Sequence, residues 1–168
     1  MDRIRSVLEK YETDLQKAYE GACRKVSLCR DFKKALQRKY QKIYKPLLEE
    51  VVRELVEKGH SARIEEQTGE NSFFSFSLEL VPRHLHRLPA DRYYPDSLWS
   101  SITFLSNEHT MTVDVEIIIR PVLDESQRLS VAKIAGDEFN ENTLLEKVAE
   151  FLERAFDETI VVDFRTGR

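Results

Sequence analysis

Along the first third of the chain, apolar residues recur at a helical interval. Ile4, Leu8, Tyr11, Leu15, Ala18, Ala22, Val26, Cys29, Phe32, Leu36, Tyr40, Ile43, Leu47, Val51 and Leu55 cover 51 residues in 14 steps. That is about 3.6 residues per step, the period of a straight α-helix. A left-handed coiled coil needs a sustained 3.5, and the four-residue steps after Ala18 and Ile43 interrupt it. The pattern predicts a long amphipathic helix over 3–58. At 1.5 Å per residue it would reach ~84 Å, twice the ~40 Å breadth of a compact chain of this size. The helix must therefore break, or protrude and meet a partner. Pro46 is the expected site of a kink or short turn near 44–46. Glu49 and Glu50 suit the first turn of a new helix, and Gly59 suits its C-terminal stop.

Beyond Gly59 the period falls to two. Strands are expected over 61–67, 72–81, 98–105 and 110–120, with a further one over 129–135. The fourth is the clearest: Met111, Val113, Val115, Ile117 and Ile119 alternate with Thr112, Asp114, Glu116, Ile118 and Arg120. One face of the sheet is thus apolar and the other largely wet. A turn is expected at Thr68-Gly69-Glu70-Asn71, and a long loop at 82–97 carries three prolines and the pair Tyr93-Tyr94. Asn142 or Thr143 reads as the cap of a last helix bearing Leu144, Leu145, Val148, Phe151, Leu152 and Phe156. Residues 160–164 read as a closing strand. The expectation is a single α+β domain over 1–168. Its parts are a helical segment (1–59), an antiparallel sheet of five to six strands with the last in the final part (60–136), and a helix with closing strand (137–168). The C-terminal helix packs on one sheet face.

Composition narrows the class. A chain of 168 residues with 41% hydrophobic and 33% charged residues can bury a core without disulfides or metal. No secretory signal opens it and no apolar run approaches a membrane span, so a cytoplasmic protein is expected. Cys23 and Cys29 lie about 240° apart on a helical wheel and cannot pair with each other there. They read as core thiols of a reducing compartment.

Charge changes the picture more. The net charge of −4 conceals a segregation. Residues 24–45 carry Arg24, Lys25, Arg30, Lys33, Lys34, Arg38, Lys39, Lys42 and Lys45 against Asp31 alone, a net of +8, with −12 over the remainder. Lys34, Arg38 and Lys42 are like charges four apart, an arrangement that disfavours the helix by a few tenths of a kcal/mol per pair. Something anionic is expected to offset it. Candidates are the acids of the last helix (Glu146, Glu150, Glu153, Asp157 and Glu158) from the same or another subunit, a separate acidic protein, or nucleic acid.

Catalytic signals are sparse. There is no nucleophile elbow, phosphate-binding loop, dinucleotide fingerprint or zincin motif. His84 and His86 have metal-ligand spacing but are flanked by Arg83 and Arg87, and no metal or cofactor is expected. Asp114 and Glu116 share a strand face and could work with Glu79 as a carboxylate pair, the basis of a hydrolase or isomerase alternative. The leading expectation is a non-catalytic adaptor or chaperone-like binding protein, a homodimer organised by the long helix. Its basic face 24–45 would dock an acidic protein surface or partner subunit. Nucleic-acid binding through the same face is the alternative.

Overall fold

A computed structural model describes residues 2–69, 73–83, 85, 99–120 and 127–165. Helix α1 (Asp2–Lys39) runs through a π-helical turn (Tyr40–Tyr44) into α2 (Lys45–Glu57). The kink expected near Pro46 takes this form, and the helix does not break. Pro46 has no N–H to return to the carbonyl four residues earlier. The turn just before it widens, and the Lys45 N–H bonds the Tyr40 carbonyl five residues back. Glu49 and Glu50 therefore follow no new N-terminus. Gly59, at φ 86°, ends α2 as expected. Its N–H bonds the Val56 carbonyl and that of His60 bonds Leu55, the two hydrogen bonds of a Schellman motif.

The π turn moves the buried stripe by one position. Leu36, Tyr40, Tyr44, Leu48 and Leu55 are buried, whereas Ile43 and Leu47 are only partly so. Successive four-residue steps in an α-helix rotate the face by about 40° each. From Leu36 to Leu48 the drift would reach about 120°, and the wider turn absorbs it. Removing one exposed residue there would return Tyr44, Leu48 and Leu55 to ordinary α spacing from Tyr40. Deletion of Lys42 is therefore expected to keep the fold and to move the melting temperature by no more than about 4 °C. Deletion of Arg53, inside α2, turns Leu55 from the core and is expected to cost at least about 2 kcal/mol. Thermal melts followed by circular dichroism check the pair, and equal losses would mean that drift of the apolar face is not what widens the turn.

Five strands follow: β1 (Ser61–Thr68), β2 (Phe74–Val81), β3 (Ser100–Asn107), β4 (Thr112–Ile119) and β5 (Gln127–Ala135). They form one antiparallel meander in chain order. Phe76 lies opposite Phe104, which lies opposite Val115; Leu78, Ile102 and Ile117 form the next such row. These side chains are buried on one sheet face beneath the helices. A bulge between Val115 and Glu116 sets Ala132 and Ser130 opposite them and leaves Val131 between.

Helix α3 (Glu141–Arg165) covers the same face with Leu144, Val148, Phe151 and Ala155. Its cap is Asn140, not Asn142 or Thr143: the Asn140 Oδ1 accepts both of their N–H groups, at 3.0 and 3.2 Å. The strand expected over 160–164 is also corrected, because α3 continues through it. No glycine or proline lies between Gly136 and Gly167, and β-branched residues extend an existing helix at small cost. Most of the 82–97 loop, including His84, His86 and the Tyr93-Tyr94 pair, lies outside the described residues, as does the 70–71 half of the turn after β1. No helix among the described residues is long and apolar enough to cross a membrane.

The first two thirds of α1 stand off the body. Every residue from Arg3 to Leu28 is exposed, a length of about 39 Å at 1.5 Å per residue. Ile4, Leu8, Tyr11, Leu15 and Val26 are 55% to 62% exposed, so the predicted stripe exists but is left largely uncovered by the described residues. Each leaves roughly 1 kcal/mol of burial unused. Neither cysteine is a core thiol: Cys23 is exposed and Cys29 half-buried, because α1 reaches the body only at that level. There the Phe32 ring crosses Gly136 so closely that a Cβ would sit 2.1 Å from it.

Candidate functional site

Where α1 meets the body, its basic side and the ends of the β-hairpins enclose a cleft of about 700 Å³. Ala22, Val26 and Cys29 provide its apolar part, while Lys25, Arg30, Lys33 and Lys34 stand along the helix. The far wall is Thr68 at the end of β1 and Glu108 and His109 in the β3–β4 turn. Apolar and basic positions share the cleft because it opens beside the face that packs on the sheet. Cys29, Phe32 and Leu36 follow one another along that face at three- and four-residue steps. The Cys29 Sγ donates to the Glu108 carbonyl at 2.7 Å and ties helix to turn. One carboxylate oxygen of Glu108 is buried and meets no donor among the described residues. A segment entering the cleft would find four cations and an apolar strip.

The nine basic residues predicted from sequence divide into three groups. Lys25, Arg30, Lys33 and Lys34 converge on the cleft. Arg24, Arg38, Lys39 and Lys42 are exposed and do not line the cleft. Lys45 is already engaged, at 2.8 Å from Glu66. Glu66 also accepts the Tyr40 hydroxyl at 2.8 Å and Gln41 at 3.3 Å. Lys45, then these hydrogen bonds, hold its carboxyl below the usual range against the opposing effect of burial. Hydrogen bonding to Glu66 in turn raises the Lys45 pKa. Burial, reinforced by Glu66, pushes the Tyr40 phenol well above its ordinary value. Burial does the same for Tyr44, with Glu141 adding to it.

Among the described residues the other eight cations make no ion pair. Among the described residues the acids of α3 do not pair with them: α3 lies on the sheet and π turn, and Glu150 pairs with Lys147 and Arg154 of its own helix. Sequence reasoning found the four cleft cations but missed the cleft. Its far wall is 34 to 84 residues away from these cations in the chain, and only the meander brings it to α1.

The carboxylates singled out on the sheet have structural partners. Asp114 accepts Asn107 Nδ2 at 3.0 Å and the Thr112 hydroxyl at 2.9 Å. Glu116 pairs with Arg128 at 2.7 Å, and Glu79 with Arg63 at 2.7 Å. Arg63 also stacks 4.5 Å over Trp99. This face is a ladder of separate cross-strand pairs. No group of three His, Cys, Asp or Glu among the described residues is placed to hold a metal ion. A second groove of about 480 Å³ lies between α2 and α3, lined by Leu47, Val51, Leu152 and Phe156 and edged by Glu50 and Glu54.

The chain matches no protein-family model, no curated protein and no solved structure.

Proposed function

We propose that this protein acts by binding, as an adaptor or chaperone-like module whose basic cleft receives an acidic, partly apolar protein segment. The observation that carries this is the convergence of Lys25, Arg30, Lys33 and Lys34, without acidic partners among the described residues, on a cleft with an apolar strip. Unpaired cations speed and select an anionic partner, and the apolar strip supplies the affinity that exposed charges alone do not. Nucleic acid is the less favoured ligand. On the open sheet face Arg63 and Arg128 are already paired with Glu65, Glu79 and Glu116, and −12 elsewhere repels phosphates. Two unpaired thiols favour a reducing compartment such as the cytoplasm.

Fluorescence anisotropy tests the cleft with a labelled acidic amphipathic peptide, Leu and Glu at helical spacing. The full chain is expected to bind it, and Lys33→Glu/Lys34→Glu to weaken binding at least tenfold, about 1.4 kcal/mol. Arg24→Glu, at a position that does not line the cleft, should change it less than threefold. Equal losses from both variants would overturn the cleft assignment. Gel shifts with short duplex DNA and RNA at ~50 mM salt are expected to show no complex. A complex weakening steeply with salt would instead mark phosphate recognition.

A further inference from the structure

We infer that the acidic segment received by the cleft is the N-terminal arm of a second copy of this chain, which rests on the cleft being a receptor for such a segment. Two α1 helices then cross antiparallel, each arm lying in the other's cleft. The arm has the required chemistry. Ile4, Leu8, Tyr11, Leu15 and Ala18 fall within about 80° of the helix surface at 100° per residue, and Ala22 and Val26 continue that stripe. At Cys29 and Lys33 the same stripe enters the cleft, so the exposed arm and the cleft are one continuous apolar track.

Charge selects the direction. Residues 9–20 hold Glu9, Glu12, Asp14 and Glu20 against Lys10 and Lys17, while residues 24–34 hold five bases against Asp31. A parallel pair would set the two basic segments side by side. An antiparallel pair with its two-fold axis near Ala22 brings acidic to basic twice over. The partner's Leu15 then lies level with Cys29, and the partner's Glu12 lies between Arg30 and Lys34 on the same flank of the pair, while the partner's Asp14 lies on the other flank, that of Lys25. The small side chains of Ala18 and Ala22 sit at the crossing, where helices approach closest. Because the contact is reciprocal, it closes as a dimer rather than propagating as a filament.

Sedimentation of the full chain is expected to give twice its 19.7 kDa mass. Glu12→Lys/Asp14→Lys and Arg30→Glu/Lys34→Glu should each raise the dimer dissociation constant at least tenfold. All four positions lie outside the core, and circular dichroism should confirm that both variants fold. Mixing the two restores opposite charges around position 12 at both sites and should recover the two-chain mass. Oxidation of Leu15→Cys in a Cys23→Ser chain should link position 15 of one copy to Cys29 of the other. A single-chain wild type, a dimer indifferent to both reversals, or linkage of position 15 to itself would overturn the arrangement. The arm-reversed variant keeps an intact and unfilled cleft and separates the two ideas. It should bind the acidic peptide more tightly than the wild type, where the peptide must displace the partner's arm. If it binds the acidic peptide while the wild type is a monomer, only the dimer falls; if it does not bind, the cleft falls as well.

Discussion

Phe76→Ala is expected to lower the unfolding free energy by about 3–5 kcal/mol, the range for deleting a fully buried aromatic side chain. Phe76 is 1% exposed and stands where the helices meet the sheet. Its ring centroid lies 4.5 Å from that of Tyr40, 5.1 Å from Phe104, 5.9 Å from Phe74 and 6.3 Å from Tyr44. Removing it opens a void between the π turn and two strands, elements held apart by different neighbours that cannot all collapse inward. Against an ordinary stability of 5–15 kcal/mol the loss is large. Urea denaturation reads it as a lower midpoint at nearly unchanged slope. Leu8→Ala, on the exposed arm, should leave monomer stability within about 0.5 kcal/mol. A Phe76→Ala chain that kept its midpoint would mean that this aromatic cluster does not hold the helices to the sheet.

The contrast between Phe76 and Leu8 also marks how far the sequence could be read. Both positions belong to clean periodic patterns, of two and of 3.6, and both patterns produced the expected element. Periodicity reports which side of an element is apolar, but not what lies against it. Phe76 packs against the π turn and β3, while Leu8 extends beyond the body and is 56% exposed among the described residues. The π turn was hidden for a related reason. Ile43 and Leu47 fit a regular helix better than Tyr44 and Leu48 do, and only the sheet shows which pair is needed for packing. The 160–164 segment failed differently: its β-branched residues suit a strand, but α3 was already formed and nothing stopped it. Charge behaved like hydrophobicity. Segregation at 24–45 was visible from composition, yet it did not distinguish Lys34, beside the cleft, from Lys45, already neutralised by Glu66.

Glu66→Ala is expected to destabilise the fold by about 2 kcal/mol, with a pH dependence that identifies the cause. Glu66 is the only acid among the described residues that pairs with a base of the 24–45 segment, and it also accepts the hydroxyl of the fully buried Tyr40. Removing the carboxylate leaves that hydroxyl without its partner, a penalty of about 1–3 kcal/mol. The exposed Lys45 pair adds little. Glu66→Gln keeps an acceptor for Tyr40 and should cost about half as much. In a Tyr40→Phe background, Glu66→Ala should lose most of its effect, since the two changes remove one interaction. Two opposite shifts set the pH profile. The Glu66 carboxyl is lowered in the folded state, so its contribution is complete above the unfolded value of 4.5 and is lost as pH falls through the lower folded value. The Tyr40 phenol is raised, so its contribution is complete below 10.0 and is lost as pH rises beyond that. Urea midpoints measured from pH 3 to pH 11 should therefore fall at both ends for the wild type, and Glu66→Ala should flatten the acid limb most. An acid limb of unchanged steepness in Glu66→Ala would assign the acid sensitivity to other carboxylates and leave Tyr40 held by packing alone.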